Sequence, residues 1–167
     1  MTEPNITQIH HRFWFMCAVE VRVQARAGAV WKLLSDAERF PRWNSTVTQI
    51  EGHIRDGERL RLHVSGTDRT FTPRVHVLKP NECMTWTGGF APLFLGVRTF
   101  MVMPCADGTT GFMMQERFSG VMLPLVRRSL PDFGPVFATF ARDLKREAER
   151  EGSVRVHHPP ASLQRTS

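Results

Sequence analysis

At 167 residues, the chain has the length of one ordinary domain and can bury a sizeable core without disulfide or metal staples. A hydrophobic fraction of 41% and a charged fraction of 23% exclude disorder over most of that length. The net charge of +6 would steer anionic partners toward the surface, although a solvated basic face with an arginine-bearing tail is the preferred explanation.

Residues 1–12 are largely polar and read as a flexible N-terminal arm. Glu3 precedes any hydrophobic stretch and no basic leader comes before one, so a secretory signal is not expected and a cytoplasmic location is. The longest apolar run, 13–19, is too short for a membrane span and is followed at once by Glu20 and Arg22. Residues 13–24 alternate instead, with Val19, Val21 and Val23 on one face and Glu20, Arg22 and Gln24 on the other, which predicts a half-buried first strand.

Helical spacing follows. Val30, Trp31, Leu33 and Leu34 offer one apolar side, and Ser35 and Asp36 then supply a stop and a new N-cap. Pro41 disfavours helix at Phe40 and limits the second helix, within 36–43, to about two turns. The pair forms a latch across one end of a sheet.

From Thr46 the period changes to two. Residues 47–54, 59–65, 70–78 and 82–87 read as strands, separated by turn signals at Asp56-Gly57, Gly66-Thr67-Asp68 and Pro80-Asn81. The glycine-rich segment 88–96, with Pro92, Phe90 and Phe94, reads as an exposed apolar loop over a cavity mouth. Residues 97–103 and 110–118 then form a last hairpin around Ala106-Asp107-Gly108, with Gly108 in the left-handed position.

Beyond Gly120, Pro124, Pro131 and Pro135 forbid one uninterrupted helix, and a break is expected near Pro131. Phe133, Phe137, Phe140, Leu144 and Ala148 recur at helical spacing, with Arg142, Lys145, Arg146 and Glu149 opposite them. Such a stripe needs a sheet to cover it. Residues 151–167 lose the periodicity, contain Pro159-Pro160 and read as a disordered tail, which leaves 13–150 as the folded domain. An antiparallel sheet with its helices gathered on one face is the simplest layered solution.

The chain at this point resembles the START-like superfamily of helix-grip proteins, in particular its bacterial polyketide cyclase-like (SRPBCC) branch. The elements that carry the resemblance are Val30-Trp31 with Leu34 and Asp36, Phe40-Pro41-x-Trp43-Asn44, and Gly57 before Leu60. Trp86, Gly96, Asp107-Gly108-Thr109-Thr110 and Glu116-x-Phe118-Ser119-Gly120 continue the pattern into the final helix. The resemblance implies an α+β fold: a curved seven-stranded antiparallel sheet wrapped around a long C-terminal helix, with two short helices after the first strand. It also implies an apolar tunnel between sheet and helix for lipids, polyketides or other hydrophobic molecules. Arg98 stands where relatives often carry histidine, and Pro131 and Pro135 interrupt the usual last helix.

The three-residue loop sets Arg98 opposite Glu116, Phe100 opposite Met114 and Val102 opposite Phe112, all on one face. That face is apolar apart from one charge pair, and a buried carboxylate is costly unless paired, so Glu116 is expected to find Arg98 or another donor. A structural ion pair at the open end of the sheet is the preferred reading; in the functional alternative, Arg98 would orient a ligand carbonyl or carboxylate with Glu116 available as a proton acceptor. Trp43, Leu62, Phe71, Trp86, Phe100, Phe112, Met114 and Phe137 are the apolar candidates for lining the tunnel, with core packing as the alternative for each.

On the outer face, Arg59, Arg61, His63, Arg74 and His76 lack the interleaved aromatics that nucleic-acid binding requires, so no nucleic-acid partner is expected. Cys17, Cys83 and Cys105 show no Cys-x-x-Cys spacing and the histidines no ligand spacing, so neither a metal site nor a cofactor is expected. The leading expectation is a binder or carrier of a small hydrophobic ligand, as monomer or homodimer. A cyclase or dehydratase using Glu116 and Arg98 is the runner-up, and a basic interaction module comes third.

Overall fold

The computed structural model describes residues 3–156. Nine strands lie in two antiparallel sheets rather than in the single seven-stranded sheet expected. The larger sheet has the order β1 (Asn5–His10), β2 (Trp14–Val23), β9 (Thr110–Ser119), β8 (Phe94–Pro104), β7 (Cys83–Phe90), β6 (Arg74–Lys79). The smaller contains β3 (Val47–Glu51), β4 (Arg61–Val64) and β5 (Thr70–Phe71).

Pro73 is the reason for the division. It has no N–H to give a ladder, so it breaks the expected strand 70–78 into β5 and β6. The two sheets remain joined across this break: Leu60 N–H donates to the Pro73 carbonyl at 2.9 Å and Val75 N–H to that of Glu58 at 2.8 Å.

The expected arm also turns out otherwise. Residues 5–10 pair with β2 over six positions, from Asn5 opposite Glu20 to His10 opposite Phe15. Only Ile6 packs against the core, which is why this edge strand carries no legible alternation. Gln8 Nε2 fastens it further by donating to Asp132 Oδ1 at 2.9 Å.

The latch consists of α1 (Ala27–Ser35) and α2 (Phe40–Trp43). Pro41 sits in the first turn of α2, where its missing N–H costs no hydrogen bond, so the proline begins this helix instead of ending one. The expected apolar loop at 88–96 is a hairpin, for β7 runs to Phe90 and β8 restarts at Phe94. Gly89, at φ +97°, allows it: a Cβ there would stand 2.3 Å from the Phe94 carbonyl oxygen.

After β9 the chain makes α3 (Leu123–Val126) and a 3₁₀ turn (Arg127–Ser129) before α4 (Phe133–Val156). Pro131 precedes α4 and Pro135 lies in its first turn, so neither interrupts it. Helix through 156 overturns the tail reading for 151–156; residues 157–167 lie outside the described part. The backbone of α4 lies chiefly against β2, and the core sits between this helix, the latch and the larger sheet.

Candidate functional site

The β8–β9 register places Arg98 opposite Glu116, Phe100 opposite Met114 and Val102 opposite Phe112, as the loop length predicts. Arg98 donates from Nε at 2.9 Å and from Nη2 at 2.5 Å, both to Glu116 Oε2. The side chains are 21% and 13% exposed, so the pair is largely shielded. Above it, the guanidinium lies 5.4 Å from the ring centroid of Phe137 on α4, a cation–π arrangement that also covers the charge from solvent.

The row continues on both sides. Trp86 pairs with Arg98 across β7–β8, and Cys17 pairs with Glu116 across β2–β9. Cys17 is fully buried, and burial pushes its thiol up to about 11, with Asp132 and Glu116 adding to the effect and Arg98 opposing it. The sequence marks Cys17 as a free thiol without metal-ligand spacing, and its place on the odd-numbered face of Val19 and Val21 turns it inward to this row.

Toward the latch the interior is aromatic. Phe40 lies 4.6 Å from Trp43, 5.9 Å from Trp86 and 5.9 Å from Phe140, ring centroid to ring centroid. Trp86 meets Phe100 edge-on at 4.9 Å, and Phe112 stacks on Phe140 at 6.2 Å. These rings, from α2, three strands and α4, fill the space in which the resemblance implies a tunnel. Two depressions of about 310 Å³ each open elsewhere: one beside the latch, lined by polar residues including Lys32, Asp36 and His53, the other between Phe13, Pro92 and Val121.

The packed interior holds three buried polar atoms without a partner among the described residues: Trp43 Nε1, Trp86 Nε1 and Asn44 Nδ2. Trp43 is 4% and Trp86 3% exposed. A buried donor left unpaired costs about 1–3 kcal/mol, so two indole N–H groups flanking one apolar cluster invite an acceptor.

The candidates are thus divided. Trp43, Leu62, Trp86, Phe100, Phe112, Met114 and Phe137 are buried in the core with the Arg98–Glu116 pair beside them. Phe71 is not; at 46% exposure on the short edge strand β5, it stands outside that interior. Sequence reading missed Phe40 as a lining residue because the proline after it looked like a helix stop.

Polar links hold the latch against α4. Ser45 donates from N and Oγ to Asp143 Oδ2 at 2.9 and 2.7 Å, while Arg39 pairs with Glu151. Asn44 Oδ1 accepts from Thr46 N–H, Thr46 Oγ1 and Val47 N–H, which fixes the turn from α2 into β3. Among the described residues no group of three or more metal-ligating side chains converges, and no helix is long and apolar enough to cross a membrane.

Solved structures share this arrangement. A protein from Mesorhizobium loti superposes with a TM-score of 0.64 at 20% identity, covering 81% of this chain and 97% of its own. A START superfamily protein from Mycobacterium smegmatis gives 0.61 at 19% identity over 81% of this chain and 98% of its own. Norcoclaurine synthase from Thalictrum flavum, determined with a transition-state analogue, gives 0.65 at 13% identity over 88% and 99%. At these identities the likeness is one of fold. Among curated proteins none matches the chain. Residues 16–150 match the family described as polyketide cyclase / dehydrase and lipid transport. Sheet, latch, gripping helix and this match together place the chain in the polyketide cyclase / dehydrase and lipid transport family, with the START-like (SRPBCC) fold.

Proposed function

We propose that the protein binds and carries a small hydrophobic molecule bearing at least one hydrogen-bond acceptor, held between the larger sheet and α4. The observation that carries this reading is the pair of unpartnered indole donors, Trp43 Nε1 and Trp86 Nε1, on two rings that both meet Phe40. Packing accounts for the indole rings but not for their two unsatisfied N–H groups, which cost stability until an acceptor meets them. A carbonyl or ether oxygen supplies the missing acceptor. Arg98, directly opposite Trp86 in the row, offers a second anchor once its hydrogen bonds to Glu116 are shared.

Occupation requires the rings to move. Phe40 lies on a single helical turn, whose polar connections to α4 run through Ser45–Asp143 and Arg39–Glu151. Loosening those links swings α2 and its two rings outward together. A ligand burying ~200 Å² of apolar surface gains ~5 kcal/mol, before association costs of similar size. Polar anchors therefore decide which ligand stays.

The test is binding of 1-anilinonaphthalene-8-sulfonate, an aromatic anion, followed by its fluorescence and by native mass spectrometry of protein purified without detergent. Saturable binding at one site, weakened at least about tenfold in a Trp43→Phe/Trp86→Phe variant, supports the reading. Binding that the double variant leaves unchanged refutes it.

A second reading is favoured by one detail: both Arg98 hydrogen bonds fall on Glu116 Oε2, which leaves Oε1 without a protein partner among the described residues. A carboxylate oriented by one oxygen and open at the other has the geometry of a general base. This enzyme reading predicts that a retained molecule changes mass during incubation, and that Glu116→Gln stops the change without expelling the molecule.

A further inference from the structure

The end of the sheet opposite the latch carries apolar side chains that nothing in the described fold covers. Phe90 is 70% and Leu125 74% exposed, and Phe13, Leu93, Val121 and Met122 join them. They come from three separate segments held together by backbone bonds. Gly120 N–H donates to the Phe13 carbonyl at 3.1 Å, Val121 N–H to Pro92 at 3.0 Å and Met122 N–H to Leu93 at 3.0 Å. The approach is so close that a Cβ on Gly120 would stand 2.2 Å from the Leu93 oxygen. This is a built surface formed by a hairpin tip and the turn into α3.

Its charge is predominantly positive, the exposed Asp132 just beyond it being bonded to Gln8. Segments 9–15, 88–97 and 117–130, which make up this end, hold Arg12, Arg117, Arg127 and Arg128 and no aspartate or glutamate. All four arginines are exposed. Arg12 lies 5.1 Å over the Phe13 ring and Arg127 reaches the His11 carbonyl at 3.5 Å, which keeps cations at the rim of the apolar tips.

We propose that this end docks on an anionic lipid bilayer, with Phe90, Leu93 and Leu125 entering the headgroup–acyl boundary and the arginines meeting lipid phosphates. Projecting apolar tips ringed by cations match an interface that is greasy at depth and negative at its surface. A second copy of the chain fits worse, since a two-fold contact through this patch would set one set of arginines against an identical set. A continuous run of packed rings leads from this surface to the Arg98–Glu116 pair: Phe94 and Phe118 stack at 5.6 Å, Phe118 meets Phe133 at 5.0 Å, and Phe133 meets Phe137 beside Arg98. Docking itself does not depend on what the interior binds.

Vesicle flotation tests the proposal with the full chain. Vesicles of phosphatidylcholine with about a third phosphatidylglycerol should retain the protein at least about tenfold better than phosphatidylcholine alone. Phe90→Ser/Leu125→Ser should lower retention on the mixed vesicles by about tenfold or more, because both apolar anchors are lost. Arg127→Glu/Arg128→Glu should abolish the preference for the anionic vesicles. A control at the other end of the sheet, Arg26→Glu/Lys79→Glu, changes net charge equally and should retain most of the binding. The proposal is overturned by no binding to either vesicle, by binding indifferent to Phe90 and Leu125, or by a control pair as damaging as Arg127 and Arg128. Self-association in sedimentation velocity that Phe90→Ser/Leu125→Ser abolishes, without vesicle binding, overturns it in favour of a second copy.

Discussion

Cys17 stands directly opposite Glu116 across the β2–β9 ladder, so a fully buried thiol lies in the same row as Arg98 and its carboxylate partner. Burial is the main cause of its raised pKa, about 11 against an ordinary 9.0. The folded state therefore holds the proton longer than the unfolded one. Stability from this group is fully present below pH 9 and is lost as pH rises toward 11, by roughly 2 kcal/mol. The chain has no tyrosine to blur that window. Urea midpoints at about pH 8 and about pH 10.5 should differ less in Cys17→Ala than in the parent; an identical difference in both refutes the assignment. The native thiol should also resist aromatic disulfide reagents until the protein unfolds.

The Arg98–Glu116 pair makes a second prediction. Removing one partner strands a shielded charge, so Arg98→Ala or Glu116→Ala should each destabilise by about 2–4 kcal/mol. Replacing both, as Arg98→Met/Glu116→Leu, should recover most of that loss because no charge remains to be desolvated. Denaturant unfolding decides the matter, and single variants within about 0.5 kcal/mol of the parent would place the pair among exposed ion pairs of little worth.

Trp86 distinguishes ring volume from its N–H. Trp86→Phe deletes an unpaired donor and part of a ring, two effects that oppose one another, and should cost no more than about 1 kcal/mol. Trp86→Ala opens a cavity beside Phe40 and Phe100 and should cost about 3–5 kcal/mol. If Trp86→Phe is as harmful as the alanine change in thermal unfolding, the indole nitrogen has a partner already.

Asn44 holds the exit from the latch with a single oxygen that accepts three hydrogen bonds. Asn44→Ala should destabilise by about 2–3 kcal/mol, since the Thr46 and Val47 donors lose their acceptor in a buried turn. Asn44→Asp keeps the acceptor and should retain most of the stability where its carboxyl is protonated, at about pH 4 or below, whereas at neutral pH its second oxygen is a buried charge without a donor in the place of Nδ2. Equal losses in the two variants, measured by urea titration at the acid pH, would show that shape and not hydrogen bonding matters here.

Much of this architecture is local and so was written in the chain order of residues. Alternation at 13–24 marked β2, and the Ala106-Asp107-Gly108 turn fixed the β8–β9 register, hence the facing of Arg98 and Glu116, because loop length and side-chain period leave no other choice. The stripe from Phe133 to Ala148 likewise named the face of α4 that is buried. The edge strand β1 gave no such signal, since pairing on one side through backbone groups needs no apolar pattern. Pro73 divided a strand that alternation alone would continue, and Phe71 stayed outside because its strand is only two residues long.

Whether the interior is hollow or full was a matter for tertiary structure alone. That depends on how Phe40, Trp86, Phe100 and Phe140, distant along the chain, share one volume, and each residue's own neighbours in sequence say nothing of that sum. The same holds for the greasy, arginine-rimmed end, where three segments with ordinary composition become one surface only when backbone hydrogen bonds bring Phe13, Leu93 and Met122 together. Periodicity specifies which way a side chain points; only packing specifies what it meets there.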